Sequence, residues 1–303
     1  MKAQGFFTAA QSDLGKVRKN NEDSLLVVDI IHVGRVFHLV AVADGMGGGS
    51  RGEDASRIAL DAMVRSIVSG RWRDPEEALR AAFHCANAEV FAEGTGHGEA
   101  PRSLMGTTLV AVMIDGQSGE TWVGNVGDSR AYTHRSRVLL QITEDHSVFA
   151  DQMRAGLSPE NATQAARWRS ALTRAIGLAA RVEPDVLRIA PLAEGDCVLL
   201  CSDGLHGMLN DPRMGRIMDR TPFTRLPTQF VKAANKAGGH DNITVAVGCY
   251  GHAPSRPLPG TALRRRLLPC RDPSLEWNTP GAASVLAVLV VTIVLAISWG
   301  VLE

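Results

Sequence analysis

Residues 107–115 and 120–126 form two β-type runs with only a turn around Asp115–Gly119 between them. So short a connection closes an antiparallel hairpin and leaves no room for the helical crossover of a parallel pair. Further β-type runs occupy 36–43, 138–142, 196–201 and 243–249. Helical stretches stand between some of them. Residues 54–69 carry Ala55, Ile58, Ala59, Ala62, Met63 and Ile67 at helical spacing, 75–92 open on Pro75 and two glutamates, and 230–237 form a third. Strands and helices do not alternate as βαβ units, and no internal repeat is present. The expectation is one α+β domain over residues 1–250, with antiparallel pairing.

Beyond residue 250 the composition changes. Residues 251–281 hold Pro254, Pro257, Pro259, Pro269, Pro273 and Pro280, a density that continues neither helix nor sheet and predicts an extended linker. The same stretch carries Arg256, Arg264, Arg265, Arg266 and Arg271 against Asp272 and Glu276. Residues 282–302 contain no charge. About 20 apolar residues cross a bilayer core, so a single transmembrane helix is expected there, with Trp277 and Trp299 near its ends. The adjacent arginines favour the cytoplasmic side for the preceding domain and suit anionic lipid headgroups. The first ten residues have one lysine and no long apolar core, which does not make a secretory signal.

Lys+Arg and Asp+Glu are equal at 32 each, so no basic excess points to nucleic acid. The five cysteines, Cys85, Cys197, Cys201, Cys249 and Cys270, include no C-x-x-C pair, which argues against a disulfide framework or a zinc knuckle. Cys197 and Cys201 bracket an apolar run and read as buried free thiols in a reducing compartment.

The chemistry lies in aspartates. Asp44, Asp128 and Asp203 each follow or end an apolar run beside a glycine or another turn-former, and Asp241 leads into one. Charges at the ends of buried strands are costly unless paired. Four of them with few cationic neighbours call for hard divalent cations with oxygen ligands, Mg²⁺ or Mn²⁺. Glu22 and Asp23 add an acidic pair, and Arg18, four residues before Glu22, has the fork that grips phosphate. The glycine-rich segment after Asp44 lacks the G-K-[ST] ending of a P-loop. An ATPase reading of D-x-G-x-G would leave GDSR, CSDG and GHDN without a role.

The strings VRKNNEDS, VADGMGGG, MGTTL, VGNVGDSRAY, ITEDHS, LTRAIG, LLCSDGL and GGHDNITV, in this order over residues 15–248, resemble the PP2C (PPM) family of Ser/Thr phosphatases, particularly its bacterial members. The resemblance implies a four-layer α-β-β-α sandwich of two antiparallel sheets flanked by helices. It implies two Mn²⁺ or Mg²⁺ ions, with a third in bacterial members. Asp44 would bridge two ions, with the Gly45 carbonyl as a further ligand. Asp203 and Asp241 would hold the second ion, Glu22 would reach it through water, and Asp128 would take the third. Arg18 would bind the substrate phosphate, while Asp23 and Asn242 would support the ligands. Water activated between two metals would then attack phosphorus in line.

Where animal members place His after D-G, this chain has Met46, which gives no proton, as in bacterial relatives. That leaves metal-bound water as the expected proton donor, with His240, beside Asp241, as the weaker candidate; His240 is rather expected at the surface, and His146 is expected to order the loop after it. Residues 147–168 correspond to the family's flap, a variable segment near the site. The implied activity is hydrolysis of phosphoserine and phosphothreonine on proteins at the cytoplasmic face of a bacterial inner membrane, opposing a Ser/Thr kinase. The alternative is a catalytically weak phosphoprotein-binding scaffold.

Overall fold

A strand sends successive side chains to opposite faces, and the apolar run around residues 36–43 uses both. Leu39, Ala41 and Ala43 pack beneath helices, while Val40 and Val42 face a second sheet. The computed structural model describes residues 5–47, 51–96 and 105–251, together with the backbone of 266–269. All of these belong to one unit, Met1–Arg271.

In chain order the elements are β1 (Gly5–Asp13), β2 (Asp23–His32), β3 (Arg35–Met46), α1 (Arg51–Ser69), α2 (Pro75–Thr95), β4 (Gly106–Thr107), β5 (Leu109–Asp115), β6 (Thr121–Val126), β7 (Arg130–Arg135) and β8 (Val138–Gln141). Then come α3 (Val148–Arg154), α4 (Ala162–Ser170), β9 (Asp185–Ile189), β10 (Cys197–Cys201), α5 (Asp203–His206), α6 (Asp211–Arg220), α7 (Leu226–Ala237), β11 (Ile243–Gly251) and β12 (Arg266–Pro269).

One sheet has the order β1-β11-β10-β7-β8 and the other β12-β2-β3-β5-β6-β9, with β4 beside β3. Every pairing is antiparallel except β12 with β2. The alternation seen in β3 recurs throughout. Val110, Val112, Ile114, Val123, Val198 and Leu200 fill the space between the sheets with Phe6. On the outer face of the larger sheet, Met63, Ile67, Leu79 and Phe83 of α1 and α2 cover Leu109 and Met113. On the outer face of the smaller sheet, Met214, Phe230 and Val231 of α6 and α7 cover Leu199, Val245 and Val247. The layers are therefore helix, sheet, sheet, helix, as the family resemblance implies. The β5–β6 turn holds Gly119 at φ +71°, where a Cβ would stand 2.3 Å from the Leu192 carbonyl oxygen. Only glycine fits there.

Several expectations are corrected. Cys197 is not a free thiol. It lies opposite Cys249 in the β10–β11 register, with the Cα atoms 4.1 Å apart, and the two form a disulfide. The partner is 52 residues away in sequence, so the spacing of Cys197 to Cys201 carried no sign of it. Cys85 and Cys201 are free. The linker reading of 251–281 fails at Arg266–Pro269, which pair in parallel with Val28–Ile31. An edge strand bonds its neighbour on one side only and so tolerates a proline. The rest of 252–281 and the whole expected span 282–302 lie outside the described residues. Among the described residues no helix is long and apolar enough to cross a membrane.

Strands β1, β2, β7 and β9 and helices α3 to α6 were not foreseen. In β2 the apolar run is interrupted by Asp29, a charge tolerated because the His38 imidazole Nδ1 stands 2.6 Å away. Helix α7 starts four residues earlier than the expected 230–237, with Pro227 in its first turn.

Candidate active site

Antiparallel pairing brings the ends of alternate strands together. Asp23, which begins β2, lies directly opposite Asp44, near the end of β3. Asp203 begins α5 just after β10, Asp241 lies just before β11, and Asp128 occupies the turn between β6 and β7. The sequence-predicted carboxylates thus gather at one end of the sandwich.

The loops are tied by side chains at positions that turn chemistry favours. The Asn242 Oδ1 accepts from the Glu22 backbone N–H at 2.8 Å, and its Nδ2 donates to the carbonyls of Leu14 and Asn20, both at 3.0 Å. Ser56 of α1 donates to the Glu22 carbonyl at 2.7 Å. The Gly45 N–H donates to that same carbonyl at 3.1 Å. A Cβ on Gly45 would stand 2.0 Å from the Gly52 carbonyl oxygen, so a side chain is excluded here. Arg18 reaches across and donates to Asp241 at 2.6 Å.

Four hydroxyl groups that sequence reasoning missed hold the aspartates. Ser202 donates to Asp23 at 2.7 Å, and Thr244 also hydrogen-bonds it. The Asp44 N–H donates to Thr108 Oγ1 at 2.9 Å, and Thr108 shares a 2.7 Å hydrogen bond with Ser129. Thr108 lies in MGTTL and Ser129 in GDSR, so those strings marked both positions without assigning them a role. His146 does more than order the following loop. Its Nδ1 accepts from the Gly127 N–H at 3.0 Å and its Nε2 donates to Asp185 at 3.0 Å. His206, also missed, donates from Nε2 to the Asp128 carbonyl at 2.9 Å. Burial pushes its pKa down to about 4, which leaves the ring neutral. His240 is exposed, and Met46 pairs with Gly106 of β4. The flap segment carries helices α3 and α4.

The electrostatics are those of an uncompensated cluster. Burial, reinforced by the charges of Asp23, Asp203, Asp128 and Asp241, holds the Asp44 carboxyl well above the ordinary range. Burial pushes Asp23 up to about 7 against hydrogen bonds from Thr244 and Ser202. Burial and then Asp203 raise Asp128 to about 7. Burial and Asp241 raise Asp203, offset in part by a hydrogen bond with Asp44. Glu22 is raised by burial although Arg18 opposes it. Asp23 Oδ1 and Asp203 Oδ1 are buried without a hydrogen-bond partner.

Buried acceptor oxygens without partners and like charges this close are stable once a cation is shared among them. The donors are all oxygen, which fits a hard divalent ion. Among the described residues no three His, Cys, Asp or Glu side chains close a cage around an ion.

Comparison with known proteins agrees. The family described as Protein phosphatase 2C matches residues 16–244. The serine/threonine phosphatase stp of Listeria monocytogenes is 35% identical over 254 residues, spanning 78% of this chain and 92% of that protein. The PPM Ser-Thr phosphatase MsPP of Mycobacterium smegmatis, solved in complex with cacodylate, is 34% identical and superposes with a TM-score of 0.66 over 80% of this chain and 97% of its own. The catalytic domain of PstP, solved with two manganese ions, is 29% identical with a TM-score of 0.69, covering 82% and 100%. On a fold that draws its motif aspartates to one edge, a match of this extent settles the relationship: the chain belongs to the protein phosphatase 2C family.

Proposed function

We propose that the chain hydrolyses phosphoserine and phosphothreonine on proteins at this end of the sandwich, with Mn²⁺ or Mg²⁺ as its cofactor. The observation that carries the reading is the set of half-buried, mutually facing carboxylates, with buried and orphaned oxygens on Asp23 and Asp203. Asp44, the Gly45 carbonyl, Asp203 and Asp241 would hold two ions, with Glu22 reaching one through water and Asp128 taking a further ion. Bound there, the ions would acidify a water and offset charge on the phosphoryl oxygens.

The chain's own residues do the rest. Arg18 is half exposed on its loop, free to turn its fork from Asp241 to an incoming phosphate. Asn242 fixes the Glu22 loop, Thr108 fixes the Asp44 backbone, and Ser202 aims Asp23, so the oxygens are held before substrate arrives. Met46 has no proton for the leaving oxygen, and His240 is exposed; water is the donor this reading favours.

The arginines of 251–281 and the uncharged residues 282–302 support attachment to the inner face of a bacterial membrane, with a Ser/Thr kinase as the enzyme opposed. Full-length chain should sediment with membranes and a chain ending at residue 271 should not. Equal partitioning of the two would remove the anchor.

The activity is tested by phosphate release from a phosphothreonine peptide by the full chain, with and without Mn²⁺, beside Asp203→Ala. Metal-dependent release that the substitution abolishes supports the reading. No release from a folded, Mn²⁺-loaded chain would leave a phosphoprotein-binding scaffold instead.

A further inference from the structure

The loops bearing Asp128 and Asp203 come from different strands, yet one side chain joins them. Asp203 and His206 open and close the single turn of α5, three residues apart, so both project from the same side of it. From there the His206 ring reaches the turn between β6 and β7, and its Nε2–H bonds the carbonyl of Asp128 itself at 2.9 Å, across 78 residues of sequence. A carbonyl only accepts, so the ring nitrogen is the donor. With its carbonyl engaged, Asp128 offers its carboxylate to the site. The neighbouring Gly127 is held from the other side, where its N–H bonds His146.

We propose that His206 is a positioning residue: it couples the Asp203 turn to the Asp128 turn, fixes the separation of the two carboxylates, and so sets the affinity of the ion that Asp128 takes. The proposal rests on the metal-dependent reading above. Groups that orient ligands in this way typically change metal affinity or activity by about 10- to 100-fold when removed.

The test uses the full chain as wild type, His206→Ala, His206→Phe and His206→Gln. The phenylalanine keeps a ring without a donor. The glutamine places an amide N–H where Nε2 stands. Bound Mn²⁺ is counted by electron paramagnetic resonance titration of the metal-free chains. In parallel, kcat and KM are measured on a phosphothreonine peptide and Tm is measured without metal. The expected result is an about tenfold or greater loss of affinity at the weakest Mn²⁺ site in His206→Ala and His206→Phe. In those variants kcat should fall more than KM rises, and His206→Gln should recover both. Wild-type Mn²⁺ affinity in folded His206→Phe would overturn the proposal and leave the phosphatase reading intact. So would a glutamine variant no better than alanine, or a loss spread equally over all sites with a matching fall in Tm. Failure of wild type itself to bind Mn²⁺ would overturn both.

Discussion

Carboxylates are wholly or partly buried at both ends of this sandwich, and they are treated differently. At the end remote from the site, Asp29 meets the His38 imidazole at 2.6 Å. Asp115 lies against Arg35 and accepts from the N–H groups of Gln117 and Ser118. Asp196 stands 2.8 Å from Arg135 and accepts from the Ala193 N–H. At the other end Asp23, Asp44, Asp128 and Asp203 face one another, and hydroxyls aim them without neutralising them. A buried aspartate is thus read by its partner. One set has its counter-charge in the protein, and the other leaves a deficit that a divalent cation and a phosphate-seeking arginine would complete. Proteins tolerate such local conflict where function needs it.

The sharpest way to break this contrast is to remove one carboxylate from each end. Asp44→Asn should lower kcat/KM by about a thousandfold, roughly 4 kcal/mol of transition-state stabilisation, while the metal-free chain gains thermal stability as a buried like charge disappears. Retained turnover in Mn²⁺ would refute the assignment of this end as catalytic.

The disulfide joins the first residue of β10, at the remote end, to β11. The double variant Cys197→Ala/Cys249→Ala should lose about 2–4 kcal/mol of stability with kcat/KM unchanged, read by denaturant melts beside steady-state kinetics. A loss of activity without a loss of stability would mean that the two ends are coupled through β10.

Asp115→Ala should cost about 2 kcal/mol of stability by leaving two N–H groups and an arginine without their acceptor. Its kcat/KM should stay within about twofold of wild type, since Asp115 lies at the opposite end of the strands from the motif aspartates and the loss falls on folding stability. Kinetics and a chemical melt on the same preparation separate the two effects.

A further effect is in pH. Asp23 and Asp128 have folded-state pKa values near 7 against an ordinary 3.8. The folded metal-free chain therefore binds more protons than the unfolded chain between those values, and its stability should fall as pH rises from about 4 to about 7. With Mn²⁺ present the trend should reverse, because ions bind the deprotonated carboxylates. A metal-free Tm that rises over this range would remove the electrostatic deficit on which the comparison stands.

The fold class was legible in the sequence because a five-residue turn between two apolar runs admits only an antiparallel pair, and the three longest helices were marked, α1 by its apolar periodicity and α2 by its opening proline and glutamates. The strands with broken patterns were not legible. Asp29 in β2 reads as an interruption until His38 of the next strand stands beside it, and the charged ends of β7 hide a strand whose centre is buried. At the site, the local Asp-Gly settings of Asp44 and Asp203 and the strings around Asp128 and Asp241 pointed to the carboxylates. The hydroxyls of Thr108, Ser129, Ser202 and Thr244 gave no signal of their own, since serine and threonine near turns are common.

What the sequence determined by itself was the inventory: oxygen ligands at strand ends, an arginine near them, and an uncharged stretch of 21 residues at 282–302. These are local properties, set by residue type and by the spacing of neighbours along the chain. Only the tertiary structure decided which strand ends meet, that Cys197 faces Cys249, that Arg266–Pro269 add a strand to β2, and that His206 spans 78 residues to hold Asp128. Those pairings depend on strand order and register, which arise from the packing of both faces of each sheet at once and leave no mark in any short window of sequence.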